Sequence, residues 1–279
     1  MLIDTHAHLN FAAFNIDRDD VIKKCLKNDI WMINVGINYQ TSKRAVEIAE
    51  KYEKEVYAAI GLHPINLDTG LIKMKADDLE SKQLEREFDC QKYKKLTGSG
   101  EVVAIGEIGL DYYWRPKTTK KKKLFKQKQK DLLLEQLKLA KELNLPIIFH
   151  CRVAHDDLIE ILKSKIQNLK LKGVVHGFVG TSEQLQKYLD LGLYIGFNGI
   201  IFKNIKGINF EENIRKTPSD KILIETDCPY LTPPQKENQR NEPFYVKYIA
   251  VKIAKIKNLS FKEIAKITTE NAKKLFRIK

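Results

Sequence analysis

Cysteine is scarce in this 279-residue chain, and the four present, Cys25, Cys90, Cys151 and Cys228, form no CxxC pair. That spacing argues against a zinc ribbon or a redox dithiol, and isolated thiols fit a reducing compartment. No apolar run approaches the ~20 residues needed to cross a bilayer. Met1 leads almost directly into Asp4, with no basic-then-apolar leader. The expected location is therefore the cytoplasm, with the nucleus left open, and no membrane association is expected. No glycine-rich phosphate loop follows the first apolar run, which counts against a dinucleotide-binding sheet. Repeats at a solenoid period are absent. Acidic residues are in deficit: 36 Asp and Glu face 49 Lys and Arg, a net charge of +13. Such an excess fits a polyanionic partner such as nucleic acid. A lysine-rich solvated surface is the competing reading.

What is present is an alternation. Short runs rich in Val and Ile predict strands at Leu2–His8, Trp31–Gly36, Val56–Leu62, Val102–Glu107, Pro146–His150, Val174–His176, Leu193–Phe197 and Lys221–Glu225. Near-continuous apolar runs are what parallel strands covered on both faces require. Helical spacing falls at Asp17–Lys27, Thr41–Tyr52, Leu124–Asn144, Ser182–Leu191, Pro243–Lys255 and Ser260–Leu275. Eight strands alternating with helices predict a TIM-type (β/α)₈ barrel, one domain over residues 1–279. The stretch Asp68–Gly100 is too polar and long for an ordinary strand–helix connection and reads as an insertion, with a surface helix expected over Asp77–Tyr93.

The histidines carry the chemistry. Five of the six, His6, His8, His63, His150 and His176, fall at or just beyond predicted strand ends, and so do Glu107 and Asp227. In barrels, reactive groups cluster at the C-terminal strand ends. His6 and His8, two apart on a strand, face the same side and can share one ion. Glu107 has two oxygens and can bridge two ions. His150 and His176 read as imidazole ligands of a second ion. Asp227 reads as a ligand and as proton acceptor for an activated water. Glu225, two residues earlier, reads as an outer supporting carboxylate. Cys151 and Cys228 alternate away from the cluster and read as small buried hydrophobes. The expected cofactors are two divalent ions, Zn²⁺, Mn²⁺ or Mg²⁺, with the imidazoles favouring the softer ones.

Several motifs converge on one family. IDTHAHLN, GLHP, AIGEIGLDYY, HCR, HGFVG, ETDCPYL, NEP and TTENAKKLF run in order through nearly the whole chain. Together they resemble the TatD family of metal-dependent deoxyribonucleases, within the amidohydrolase-like barrels. The resemblance implies His6, His8 and Asp227 on one ion, His150 and His176 on the other, and Glu107 between them. It further implies that His63 is an additional active-site histidine, and that the activity is 3′→5′ exonucleolytic hydrolysis of DNA, at single strands, ends or damaged sites. HGFVG stands where the family more often has HCFSG, which removes a small polar side chain beside His176. The catalytic group is then expected to be Asp227, Glu107 and His63. Phosphate or base contacts are expected from His63, Arg152, Tyr112, Trp114 and the lysines Lys120, Lys121, Lys122 and Lys123. A monomer acting on DNA is expected. An amide or ester hydrolase on the same barrel is the alternative, because a fold does not fix its chemistry.

Overall fold

The computed structural model describes residues 1–52, 54–72, 80–169 and 171–279. Eight strands form where the Val/Ile runs lie: β1 (Leu2–Ala7), β2 (Ile30–Val35), β3 (Val56–Ile60), β4 (Val102–Asp111), β5 (Ile147–Arg152), β6 (Gly173–Val175), β7 (Tyr194–Phe197) and β8 (Ile222–Ile224). They pair in sequence order, all parallel. A parallel bridge between Ala7 and Cys228 brings the last strand back to the first. The result is the TIM-type barrel predicted from the alternation.

The core has two shells. Inside the barrel, Ile3, Ile33, Val35, Ala59, Ile148, Val174 and Leu223 pack together and are sealed by Leu275 and Phe276. Outside it, the opposite faces of the strands meet the helices, with Met32, Ile60, Phe149 and Phe197 fully buried. Each such side chain contributes about 1.5–3 kcal/mol relative to exposure, so the strands are held from both sides.

Nine α-helices are found among the described residues: α1 (Arg18–Lys27), α2 (Tyr39–Tyr52), α3 (Cys90–Lys95), α4 (Thr119–Leu143), α5 (His155–Leu169), α6 (Ser182–Asp190), α7 (Phe210–Lys216), α8 (Val246–Lys257) and α9 (Phe261–Phe276). Thr181 and Ser260 cap α6 and α9 as reciprocal boxes with Gln184 and Glu263. The long helix begins earlier than its apolar spacing indicates, because Thr118 caps it by accepting from Lys121 N. Pro243–Tyr245 forms a 3-10 turn, and α8 starts only after it. The single helix expected over Asp77–Tyr93 is corrected. Positions 77–79 lie outside the described residues, and the remainder holds a 3-10 turn at Glu80–Lys82 and the start of α3, capped by Asp89. Helices α5 and α7 were not anticipated. No described helix is long and apolar enough to cross a membrane.

Two glutamines on one face of α4 fasten the mouth of the barrel. Gln136 accepts from Leu62 N at 2.8 Å and donates to Leu62 O at 2.9 Å. Gln129 does the same for Asp111, both at 2.9 Å. Both side chains are fully buried, so the backbone groups next to His63 and at the end of β4 have no water to turn to. Replacing Gln136 with Leu orphans two buried backbone groups at about 1–3 kcal/mol each. Gln136→Leu is expected to destabilise the protein by about 2 kcal/mol or more, read from urea unfolding; an unchanged midpoint would mean the pair is not needed.

Candidate metal centre

All of the predicted donors, and His63 with them, meet at the C-terminal mouth of the barrel. His6 comes from β1, His8 follows it, His63 follows β3, Glu107 lies within β4, and His150 lies within β5. His176 and Asp227 stand just past β6 and β8. Strand pairing is irregular between Asp4 and Ala7 in β1, between Ala58 and Ala59 where β3 meets β4, and between Ile105 and Ile108 in β4. The first and last of these stretches carry His6 and Glu107. Ile3 packs inside the barrel while Leu2 and Ala7 pack outside it. Strict alternation would place Ala7 with Ile3, so the irregularity resets the phase, as bulges beside active sites do.

Glu107 is the hub. Its Oε1 lies 2.6 Å from His150 Nδ1, 2.8 Å from His176 Nε2 and 3.5 Å from His63 Nε2. Its Oε2 lies 3.4 Å from His6 Nε2. Asp227 Oδ1 is 3.4 Å from His8 Nε2 and 3.8 Å from His6 Nε2. Three donor groups result: His6–His8–Glu107, His6–His176–Asp227 and His63–Glu107–His150, each with ligand atoms within 4.8 Å of one another. The grouping departs from the one the resemblance implies in placing His63 where a ligand could stand. His8 Nδ1 bonds Val35 O at 2.8 Å. A carbonyl can only accept, so Nδ1 carries the proton and the Nε2 lone pair faces the cluster. That is the tautomer a metal requires. Nitrogen and oxygen lone pairs converging in this way fit a divalent ion.

The electrostatics follow from one carboxylate shared among several rings. Burial, and then the neighbouring ring of His176, lowers the pKa of His6; burial and His150 do the same to His63. Burial opposes a charge on His150, yet Glu107 and Asp111 outweigh it and push its pKa up to about 9. For Glu107, burial is outweighed by His176, His63, His150 and His6, which hold it well below the ordinary carboxylate range. Asp227 is likewise lowered against burial, chiefly by His8. Both carboxylates are therefore ionised at neutral pH.

A supporting layer orients these groups. Buried Asp4 accepts from Thr226 N at 2.9 Å and Thr226 Oγ1 at 2.5 Å, tying the root of β1 to the turn bearing Asp227. Glu225 Oε1 lies 3.3 Å from His176 Nδ1 and accepts from Gly177 N, so it stands behind the ring rather than in the cavity. A Cβ on Gly196 would meet Glu225 Oε2 at 2.4 Å, and one on Gly109 would meet His150 O at 1.9 Å. Only glycine admits Glu225 and the close β4–β5 approach at those points. Asp111, which the sequence reading missed, is buried and lies 3.2 Å from His150 Nε2. Its signal was available in the run that follows Glu107, but β4 had to extend to Asp111 for it to count. Cys228 is fully buried and Cys151 nearly so, the latter receiving Tyr188 OH at 3.7 Å.

Above the cluster opens a cavity of about 770 Å³. Its walls include Ile37, Ile65, Ile200, Ile205 and Ile208, with Tyr113, Trp114, Arg152 and Lys206 among the outer residues. Arg152 and Trp114 thus stand where the sequence reading put them. Tyr112 does not: it is only 3 % exposed and packs in the outer core. Its neighbour Tyr113 is turned the other way, is 51 % exposed and lines the cavity. Lys120 to Lys123 lie in the first turn of α4 and do not line the cavity.

Residues 3–277 match the sequence profile described as TatD related DNase. The chain belongs to that family. It is 42% identical to the uncharacterized metal-dependent hydrolase YabD of Bacillus subtilis, with all of both chains covered. It is 32% identical to the 3′-5′ ssDNA/RNA exonuclease TatD of Escherichia fergusonii, over 99% of each. The crystal structure of YJJV, a TatD homologue from Escherichia coli K12, superposes with a TM-score of 0.81 at 30% identity, covering 100% of this chain and 98% of that one.

Glu107 shares with His6 membership in two of the three donor groups, but it alone touches four of the rings, so its loss should be felt most widely. Purified wild-type protein is expected to carry divalent metal, and Glu107→Ala to lose more of it than His8→Ala, measured by inductively coupled plasma mass spectrometry. Equal metal content in the two variants would demote Glu107 from the hub.

Proposed function

We propose that this TatD-family protein is a metal-dependent phosphodiesterase that shortens DNA from 3′ ends, preferring single strands. The observation that carries the reading is an ionised carboxylate, Asp227, set among the histidine donors beneath an open cavity. Divalent ions, Zn²⁺, Mn²⁺ or Mg²⁺, held by His6, His8, His63, Glu107, His150, His176 and Asp227, would polarise the scissile phosphate and lower the pKa of the attacking water. Asp227 is the group suited to take the proton. Its side chain is 18% exposed against 6% for Glu107, so of the two carboxylates lining the cavity it is the more open to its contents. Glu107, enclosed by four rings, holds the donors in place. His63 stands at the cavity edge of the cluster and can meet a phosphate oxygen there. Trp114, at the cavity rim, offers a face to an unpaired base, a contact of about 1–3 kcal/mol.

Polarity and strand preference rest on likeness. The E. fergusonii relative is named for 3′-5′ action on single-stranded DNA and RNA. The net charge of +13 favours a polyanion over the small amides and esters that other barrels of this kind cleave. With metal added, the protein is expected to digest end-labelled single strands, to stall on blocked 3′ ends, and to leave a panel of cyclic amides and lactones intact. Asp227→Asn should lower turnover by on the order of 10²–10⁴ with little loss of DNA affinity. Digestion of 3′-blocked strands at the full rate would reject the polarity, and cleavage of the amide or lactone panel alone would reject the substrate class.

The lysines of α4 have a guiding role in this reading. Lys120 to Lys123 have no ion-pair partner among the described residues, whereas Lys126 and Lys130 face Asp157. Positive charge in a helix's first turn opposes its dipole, and a passing phosphate backbone would relieve that cost. Changing Lys120–Lys123 to Gln is expected to flatten the salt dependence of DNA binding by about 0.7–0.9 in log–log slope per lost contact. Hydrolysis of a small phosphodiester should not change, and an unaltered slope would return these lysines to plain surface.

A further inference from the structure

The rim of the cavity holds a feature the chemistry above does not use. Arg152 ends β5, two residues beyond His150, and its side chain is exposed at the cavity edge. It has no hydrogen-bond or ion-pair partner among the described residues. Its guanidinium carbon sits over the ring of Tyr113, 3.7 Å from the centroid. A cation held over an aromatic face keeps its N–H donors available to meet an anion.

Tyr113 is itself fixed. Its N donates to Asp111 Oδ1 at 2.8 Å, and Asp111 Oδ2 touches His150. The neighbouring Tyr112 N donates to Arg152 O at 2.9 Å, continuing the β4–β5 ladder. Directly after Arg152 the chain turns at Val153, a β-branched residue at φ +57° that is 62% exposed and lines the cavity. That conformation costs an L-residue about 1–2 kcal/mol, and no packing at Val153 offsets it, so the turn is tolerated where it sets Arg152 at the rim.

We propose that Arg152, held by Tyr113, is a receptor for a second phosphate, the one next to the phosphate being cleaved, and that Tyr113 is its positioning residue. This rests on the phosphodiesterase reading and extends it to the substrate: a chain with at least two phosphates. A strand rises about 3.3 Å per residue, so Arg152 stands a full pleat farther out than His150. At that height it meets the group beside the one on the donor cluster. A planar fork engages phosphate with two parallel bonds, and the ring beneath it spares the entropy of ordering a long side chain. Lys206, exposed across the cavity, is the competing receptor.

The test compares two probes, the thymidine dinucleotide TpT and its 5′-phosphorylated form pTpT. Binding is measured by calorimetry on metal-loaded Asp227→Asn protein, which does not turn the probes over, and hydrolysis is followed separately on protein with Asp227 intact. The extra phosphate is expected to tighten binding by about tenfold or more. Adding Tyr113→Ala should remove most of that gain while leaving TpT binding unchanged. Tyr113→Phe should keep the gain, since the ring alone is needed, and Arg152→Ala should abolish it. In the hydrolysis arm the same pattern should appear in KM and not in kcat. Tyr113 is half exposed, so these changes do not threaten the fold. Equal binding of TpT and pTpT by the parent protein would overturn the proposal. So would an equal loss for both probes in Tyr113→Ala, which would make the ring a base-stacking contact, or a gain that vanishes only in Lys206→Gln. Failure to hydrolyse TpT would strike the phosphodiesterase reading instead, leaving the binding comparison to judge the clamp.

Discussion

The mouth of this barrel depends on burying one carboxylate among imidazoles. A lone ionised carboxylate taken out of water costs several kcal/mol, and Glu107 is almost wholly enclosed. His150, His176, His6 and His63 surround it at 2.6 to 3.5 Å. Each contact offsets part of the penalty, and each ring's charge state depends on the others. The same arrangement that keeps Glu107 charged supplies the lone pairs that a divalent ion would collect. Stability and chemistry therefore draw on one set of atoms, and the rest of the fold serves to keep that set in place.

The barrel does so in layers. An apolar plug of Ile and Val fills the lower interior and is closed from beneath by α9. Above it lies a polar layer in which Asp4 grips Thr226 and Glu225 backs His176. The metal donors form the next layer, and the cavity opens over them. Interruptions in strand pairing in β1 and β4 allow the side chains to change from filling the core to facing the site. From outside, Gln129 and Gln136 of α4 hold the ends of β4 and β3 by their backbones.

Recognition is separated from chemistry by height in the barrel. The floor is made by strand ends, which are rigid. The walls and rim come from the connections that follow, which is where barrels of one fold differ in substrate. In this TatD-family chain the walls are largely apolar while the rim holds Arg152, Lys206 and an aromatic pair. Apolar walls suit a base and cationic rims suit phosphates, which is what the proposed substrate would ask of the two levels.

The sequence by itself determined the barrel and its donors, because both are written in local patterns. Eight Val/Ile runs alternating with helical spacing leave few architectures, and His6, His8, Glu107, His150, His176 and Asp227 each sit at a run's end. Separations along the chain of more than 200 residues do not matter when topology returns every strand end to one face. Tertiary structure alone decided what depends on phase and on cross-chain contact. Tyr112 and Tyr113 are indistinguishable as neighbours in sequence, yet one is core and the other rim, because the length of β4 sets which face each takes. Asp111 joined the site for the same reason. The start of α4 was hidden by a run of lysines with no apolar period, and only the Thr118 cap fixes it. His63 reads as an outer group in sequence, but its distance to Glu107 comes from how β3 and β4 pack, a quantity that no spacing along the chain encodes.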